Sequence, residues 1–175
     1  MMNNKLKCFL PVLRKVACCI ILLFIASGSK AQEDYNVEVP KDIIIINSSK
    51  DYKTALAVAK KSAIALQKKL DLRKLMPNTK IGLTLSKGDC YGDGGGDDMG
   101  YPCYFARGDG NAFNDDYISI EYSNAYKGFA KGYYIVVAAI TDVKSVDMKN
   151  KLAVIKKKYP DAYAKRTYIW RGCMH

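Results

Sequence analysis

Tyr133-Tyr134-Ile135-Val136-Val137-Ala138-Ala139-Ile140 decides how this chain folds. The run is short, β-branched at its centre and without a polar break, which predicts a buried strand. Before it, Tyr117 to Ser123 alternates. Ile118, Ile120 and Tyr122 point one way and Ser119, Glu121 and Ser123 the other, which predicts a half-buried strand with Ser119 and Glu121 on its solvent face. After it, Thr141-Asp142 is expected to open a helix with Met148, Leu152, Ile155 and Tyr159 on one face, and Pro160 stops it. Tyr163 to Trp170 reads as a closing strand.

The upstream half has the same grammar. Ile43-Ile44-Ile45-Ile46 predicts a buried strand, and Asn47-Ser48-Ser49 offers helix-capping chemistry. From Asp51 the apolar positions Tyr52, Leu56, Ala59, Ala63, Leu66 and Leu70 form one helix face, with Lys60, Lys61, Lys68 and Lys69 largely off it. Ile81 to Leu85 reads as a second strand after the turn signal Pro77-Asn78. A shift of 91 residues lays Ile43–Ile46 over Tyr134–Val137 and Lys50–Ala55 over Thr141–Val146. The pattern fits an internal duplication and also fits any pair of β-α units. At face value it gives an α+β fold of split β-α-β (ferredoxin-like) type, one antiparallel sheet with two helices on one face.

Residues 88–116 interrupt this scheme. They hold eight of the thirteen glycines and seven acids against one base, Arg107, and read as a long loop inserted in the domain, of a length that marks a functional or a disordered segment. Cys90 and Cys103 flank its centre, and a disulfide between them closes a loop for which chain entropy predicts about 3 kcal/mol. A bridge from either one to Cys173 is the alternative. Asp93, Asp97, Asp98, Asp109, Asn111, Asp115 and Asp116 offer oxygens for a structural calcium ion, the only cofactor the sequence suggests, although the spacing matches no EF-hand. A solvated acidic loop with Gly and Asp in its turns explains the same composition. Arg107-Gly108-Asp109 spells an integrin-type tripeptide too short to carry weight, and the acids around Gly92–Gly96 would repel a phosphate.

Tyr133–Ile140, the Asp142-Val143-Lys144-Ser145-Val146 helix start and the Lys-rich helix to Pro160 together resemble half of a SPOR domain, over about 40 residues. SPOR domains are small bacterial envelope modules of duplicated β-α-β origin that bind peptidoglycan, preferring glycan strands stripped of their peptides. The resemblance implies one SPOR-like domain over 42–175, with 88–116 as its insertion, and a glycan-binding sheet.

The remaining arithmetic is compatible with that. Met1 to Lys15 is basic and free of acids, Val16 to Ala26 is an apolar run, and small residues lead to Ala31. This is the layout of a secretory signal peptide, 1–31, with an apolar run shorter than a spanning helix needs and an uncleaved signal anchor as the alternative. Residues 32–41 then read as a polar linker. Without 1–31, the net charge of +11 falls to +6 and the cysteines to Cys90, Cys103 and Cys173. The single histidine is His175, which disfavours His-dependent catalysis and metal binding. An exported chain with no nucleic-acid motif gives no reason to expect nucleic acid as a partner, and no transmembrane segment is expected after signal cleavage.

Eight of the thirteen tyrosines fall between Tyr91 and Tyr134, and aromatic rings stack on sugar C–H faces. The expected glycan platform is Ser119 and Glu121 with Arg166, Tyr168 and Trp170, which share a face of the closing strand by period two. Tyr168 and Trp170 facing the helices as core is the alternative. The sequence therefore leads to an exported, periplasmic or extracellular, non-enzymatic module for cell-wall glycan. Two other readings stay open: a calcium-stabilised adhesion or protein-interaction module in which an envelope protein meets the acidic loop, and a hydrolase using Glu121 with a loop aspartate.

Overall fold

Ile43, Ile44 and Ile45 are wholly out of water, at the centre of the longest strand of the chain, β1 (Val37–Ser49). The computed structural model describes residues 37–91, 100–110 and 113–172, all within one unit, Tyr35–His175. The expected signal peptide 1–31 lies outside the described residues. Among them no helix is long and apolar enough to cross a membrane. Of the linker expected at 32–41, the described part belongs to β1, because Val37–Lys41 pair with Thr167–Arg171. Glu38, Pro40 and Lys41 make that segment look like a linker, but a partner strand satisfies its backbone.

β1 pairs antiparallel with β5 (Tyr134–Asp142) on one side and β6 (Tyr163–Arg171) on the other, and β5 pairs with β4 (Ser119–Tyr122). The fold is α+β, with an antiparallel sheet of order β4-β5-β1-β6. The strand expected at Ile81–Leu85 does not join it. Gly82–Thr84 (β3) instead pairs with Met76–Asn78 (β2), closed by Asn78 Oδ1 accepting from the N–H groups of Lys80 and Ile81.

The helix α1 (Tyr52–Leu66) is capped by Asp51, whose carboxylate accepts from Thr54 N, while Ser49 remains in β1. The predicted cap at Asn47–Ser49 is therefore displaced to Asp51, two residues beyond the end of β1. α1 buries Ala55, Ala59, Ser62 and Ala63, small side chains that let it lie close on the sheet. A short helix, α2 (Lys87–Tyr91), carries Cys90, which is joined to Cys103 as expected from the sequence. The third helix, α3 (Val146–Lys156), starts later than predicted. Thr141 and Asp142 finish β5, and Ser145 caps the helix by accepting from Met148 N.

α1 and α3 pack on the same side. Ile44, Ile46, Val136 and Ala138 of the sheet meet Ala55, Ala59 and Ala63 of α1 and Ile155 of α3 in one core. The other side is covered as well. Ile43, Ile45, Ile135, Val137, Ile140 and Ile169 form a second core with Ala106, Tyr126 and Phe129 from the irregular segments around β4. The solvent face predicted for Ser119 and Glu121 is therefore under a layer of chain, and both residues are fully buried. Alternation along β4 was read correctly, but exposure does not follow from it when a loop layer closes over the polar side.

The β1–β5 register skips Ala138 and Ile46, a pair of compensating irregularities. Lys68 reaches the Ala138 carbonyl at 3.1 Å, and Arg107 reaches the Val137 carbonyl at 3.2 Å. Gly82 fixes the small sheet against the large one. Its φ is +83°, and a Cβ there would lie 2.3 Å from the Tyr122 ring. Gly128 has a φ of +82° but open space around it. Gly82→Ala is expected to cost about 2 kcal/mol or more, and Gly128→Ala about 1 kcal/mol, read as shifts of the urea midpoint. Equal losses would show that the ring contact is not felt.

Candidate functional site

Arg107 is the largest side chain that is completely buried, and it arrives from the insertion rather than from the sheet. Its Nε and Nη2 hold both carboxylate oxygens of Asp115, at 2.9 and 2.5 Å. Nη2 also donates to the Tyr117 carbonyl, and Nη1 to Ser119 Oγ and the Val137 carbonyl. The guanidinium lies 3.6 Å from the centre of the Tyr117 ring. Asp115 in turn accepts from Ile140 N and donates its own N–H to the Ile140 carbonyl, tying the insertion to β5.

Ser119 Oγ passes the network on by donating to Glu121 Oε1 at 2.8 Å. Glu121 Oε2 accepts from Arg73 Nη1 at 2.9 Å, Tyr104 Oη at 2.7 Å and Arg107 N at 3.3 Å. Tyr126 Oη accepts from the same Arg107 N–H at 3.0 Å. Burial works against the charge of Arg73, but Glu121, with Tyr126 and Tyr104, outweighs it and raises the pKa above the ordinary arginine value. Burial, reinforced by the charge of Glu121, pushes the Tyr104 and Tyr126 phenols well above 10.0.

Arg73 is aimed at Glu121 by an unusual turn. Arg73 and Lys74 both have left-handed backbone, φ 55° and 56°, between Leu72 O and Leu75 N, which bond at 2.8 Å. Asp71 Oδ1 accepts from Arg73 N and holds the turn. Two successive non-glycine residues in this region are costly, and such conformations concentrate where geometry serves a site.

Beside this network opens a cleft of about 300 Å³ lined by Arg73, Gly108, Asp109, Phe113, Asp115 and Tyr117. It offers a guanidinium, two carboxylates and two rings. Asp109 accepts from Ala106 N and Trp170 N, and burial raises its pKa against those bonds. Phe113 is 72% exposed at the rim.

The expected glycan platform is not assembled as such. Arg166, Tyr168 and Trp170 do share a face of β6, opposite Asp42, Pro40 and Glu38 of β1. By alternation from Ala164, that is the face on which the helices pack, yet Tyr168 is 48% exposed and Arg166 is exposed, so neither is core. Ser119 and Glu121 lie buried on the opposite face. Of the expected calcium ligands, Asp93, Asp97, Asp98 and Asn111 fall outside the described residues. Asp109 and Asp115 are turned to protein donors, and Asp116 pairs with Lys68. No group of three or more His, Cys, Asp or Glu suited to a metal occurs among the described residues. Arg107-Gly108-Asp109 cannot present an arginine, because Arg107 is buried.

Sequence reading passed over Arg73, Tyr104, Phe113 and Tyr117. Arg107 did leave a trace, as the lone base among the acids of 88–116. No family model, no curated protein and no solved structure matches this chain.

Two expectations follow from the buried charges. Glu121→Gln leaves Arg73 facing a neutral amide, and stability is expected to fall by about 3 kcal/mol in urea denaturation. A loss below about 1 kcal/mol would mean that the pair is replaceable. The phenols set an alkaline limit. Their folded pKa values lie above the ordinary 10.0, so their contribution is complete below pH 10 and is lost as pH rises through the raised values. The denaturation midpoint should fall above pH 10, less steeply in Tyr104→Phe, and an identical slope in that variant would contradict the assignment.

Proposed function

We propose that this chain is an exported, non-enzymatic module of the cell envelope that binds peptidoglycan-type glycan, with a SPOR-like fold. The order β4-β5-β1-β6, antiparallel throughout, with α1 and α3 on one face, supports the split β-α-β arrangement from which such modules are built. The observation that carries the ligand class is the cleft. Sugar hydroxyls both donate and accept, and here a guanidinium and carboxylates line one space with the Phe113 and Tyr117 rings. Carboxylates at its wall disfavour a nucleic-acid backbone, and Arg73 disfavours a cation.

In this reading the glycan does not lie on Ser119 and Glu121, which support the cleft from behind. It lies across the cleft mouth, with Phe113 and Tyr117 as the stacking rings, and Asp109 joins that surface to β6 through Trp170 N. Arg166, Tyr168 and Trp170 remain a second aromatic edge for the same polymer. Glu121 accepts four protein donors and is fully buried, so it offers a substrate no open carboxylate, in keeping with binding rather than hydrolysis.

Cosedimentation of the purified chain with intact and peptide-stripped sacculi, in calcium or in EDTA, tests the reading. Pelleting is expected to favour stripped glycan and to ignore EDTA. Phe113→Ala should weaken it about tenfold by removing one stacking ring, and Tyr168→Ala by less. Absence of pelleting, dependence on calcium, or release of soluble sugar fragments would each overturn it.

A further inference from the structure

The side of the molecule away from the cleft carries a second surface. Ile64 of α1 is 81% exposed, the most exposed large apolar side chain among the described residues, and Val154 of α3 is 59% exposed. Both sit over shallow, open depressions. Ile64 lines a cleft of about 490 Å³ with Ala63 and Leu70, and Val154 lines one of about 220 Å³ with Leu66 and Ile155. Lys68 is a wall of both, so the two depressions adjoin. Its ammonium group is bound to Asp116, which also lines the smaller depression, and to the Ala138 carbonyl.

The rim is basic. From Tyr52 to Leu66, α1 carries Lys53, Lys60 and Lys61 and no acid. In α3 the one acid, Asp147, is paired with Lys151, and Lys156, Lys157 and Lys158 follow. An apolar double depression with cations along its edges complements an amphipathic segment whose apolar side chains alternate with acids.

The geometry points to a docking surface across α1 and α3 for an acidic amphipathic helix of a partner protein, with Ile64 and Val154 as apolar contacts and Lys60 as a charge contact. This stands independently of glycan binding, since it uses none of the residues of the cleft.

The probe is a fluorescein-labelled 18-residue helical peptide with leucines on one face and glutamates on the other. Controls replace every glutamate by lysine or every leucine by serine. Fluorescence anisotropy with the full chain is expected to show binding of the acidic amphipathic peptide and at least tenfold weaker binding of both controls. Ile64→Ser and Lys60→Glu, both at exposed positions, should each weaken the acidic peptide about tenfold, and Phe113→Ala should leave it unchanged. Equal binding of the lysine peptide, or no effect of Ile64→Ser and Lys60→Glu, would overturn the docking surface. So would a chain that ignores the peptide and sediments instead with phosphatidylglycerol vesicles.

Discussion

Arg107 brings five N–H groups into a place without water, and each must find an acceptor there. Nε and one Nη2 hydrogen take Asp115, the other Nη2 hydrogen takes the Tyr117 carbonyl, and Nη1 takes Ser119 and the Val137 carbonyl. That complete set explains how a charged side chain can be the largest fully buried group in the chain. A guanidinium with one acceptor missing would cost several kcal/mol, so the positions of Asp115, Tyr117, Ser119 and the β5 irregularity are all constrained together. Glu121 repeats the logic with the opposite sign, taking Arg73, Tyr104, Ser119 and the Arg107 backbone. The two charged centres meet at Ser119, which accepts from one and donates to the other.

This network replaces what would otherwise be an open sheet face. A four-stranded antiparallel sheet with helices on one side often leaves its other side to solvent or ligand. Here the polar side chains of β4 face inwards to Arg107 of the insertion and to Arg73, and Ala106, Tyr126 and Phe129 cover the apolar remainder. The surface available to a ligand is thereby moved outward by one layer, from the strands to the residues that pack over them. Asp109 and Asp115 belong to both, bonded to the strands through Trp170 N and Ile140 N while lining the cleft.

The parts of the fold that were legible in the sequence are those that depend on local periodicity. Ile43–Ile46, Tyr134–Ile140 and the apolar face of α1 are recognisable because burial on a strand or helix repeats with the backbone. The disulfide was legible because Cys90 and Cys103 bracket a loop of suitable length. The misplaced pieces depend on distant partners. Val37–Lys41 is a strand because β6 lies beside it, and Gly82–Thr84 leaves the main sheet because Met76–Asn78 pairs with it. Ser119 and Glu121 had the alternation of a solvent face, and only the arrival of Arg107 and Arg73 reverses its meaning. The Arg73 turn was illegible for a simpler reason: Leu72-Arg73-Lys74-Leu75 contains none of the residues that usually mark left-handed backbone.

The distribution of charge then follows from the packing. Of the described acids of the insertion, Asp115 is bound by Arg107 and Asp109 by backbone donors, while the exposed Asp116 and Asp89 pair with Lys68 and Lys74. The lysines of α1 and α3 are different, because a helix lying on a sheet through alanines turns its long side chains outward. The basic outer face of α1 is thus a consequence of the close helix–sheet contact made by Ala55, Ala59 and Ala63. Two surfaces of different chemistry, one mixed and aromatic and one apolar with a cationic rim, are separated by the thickness of the sheet, and a ligand at one leaves the other open.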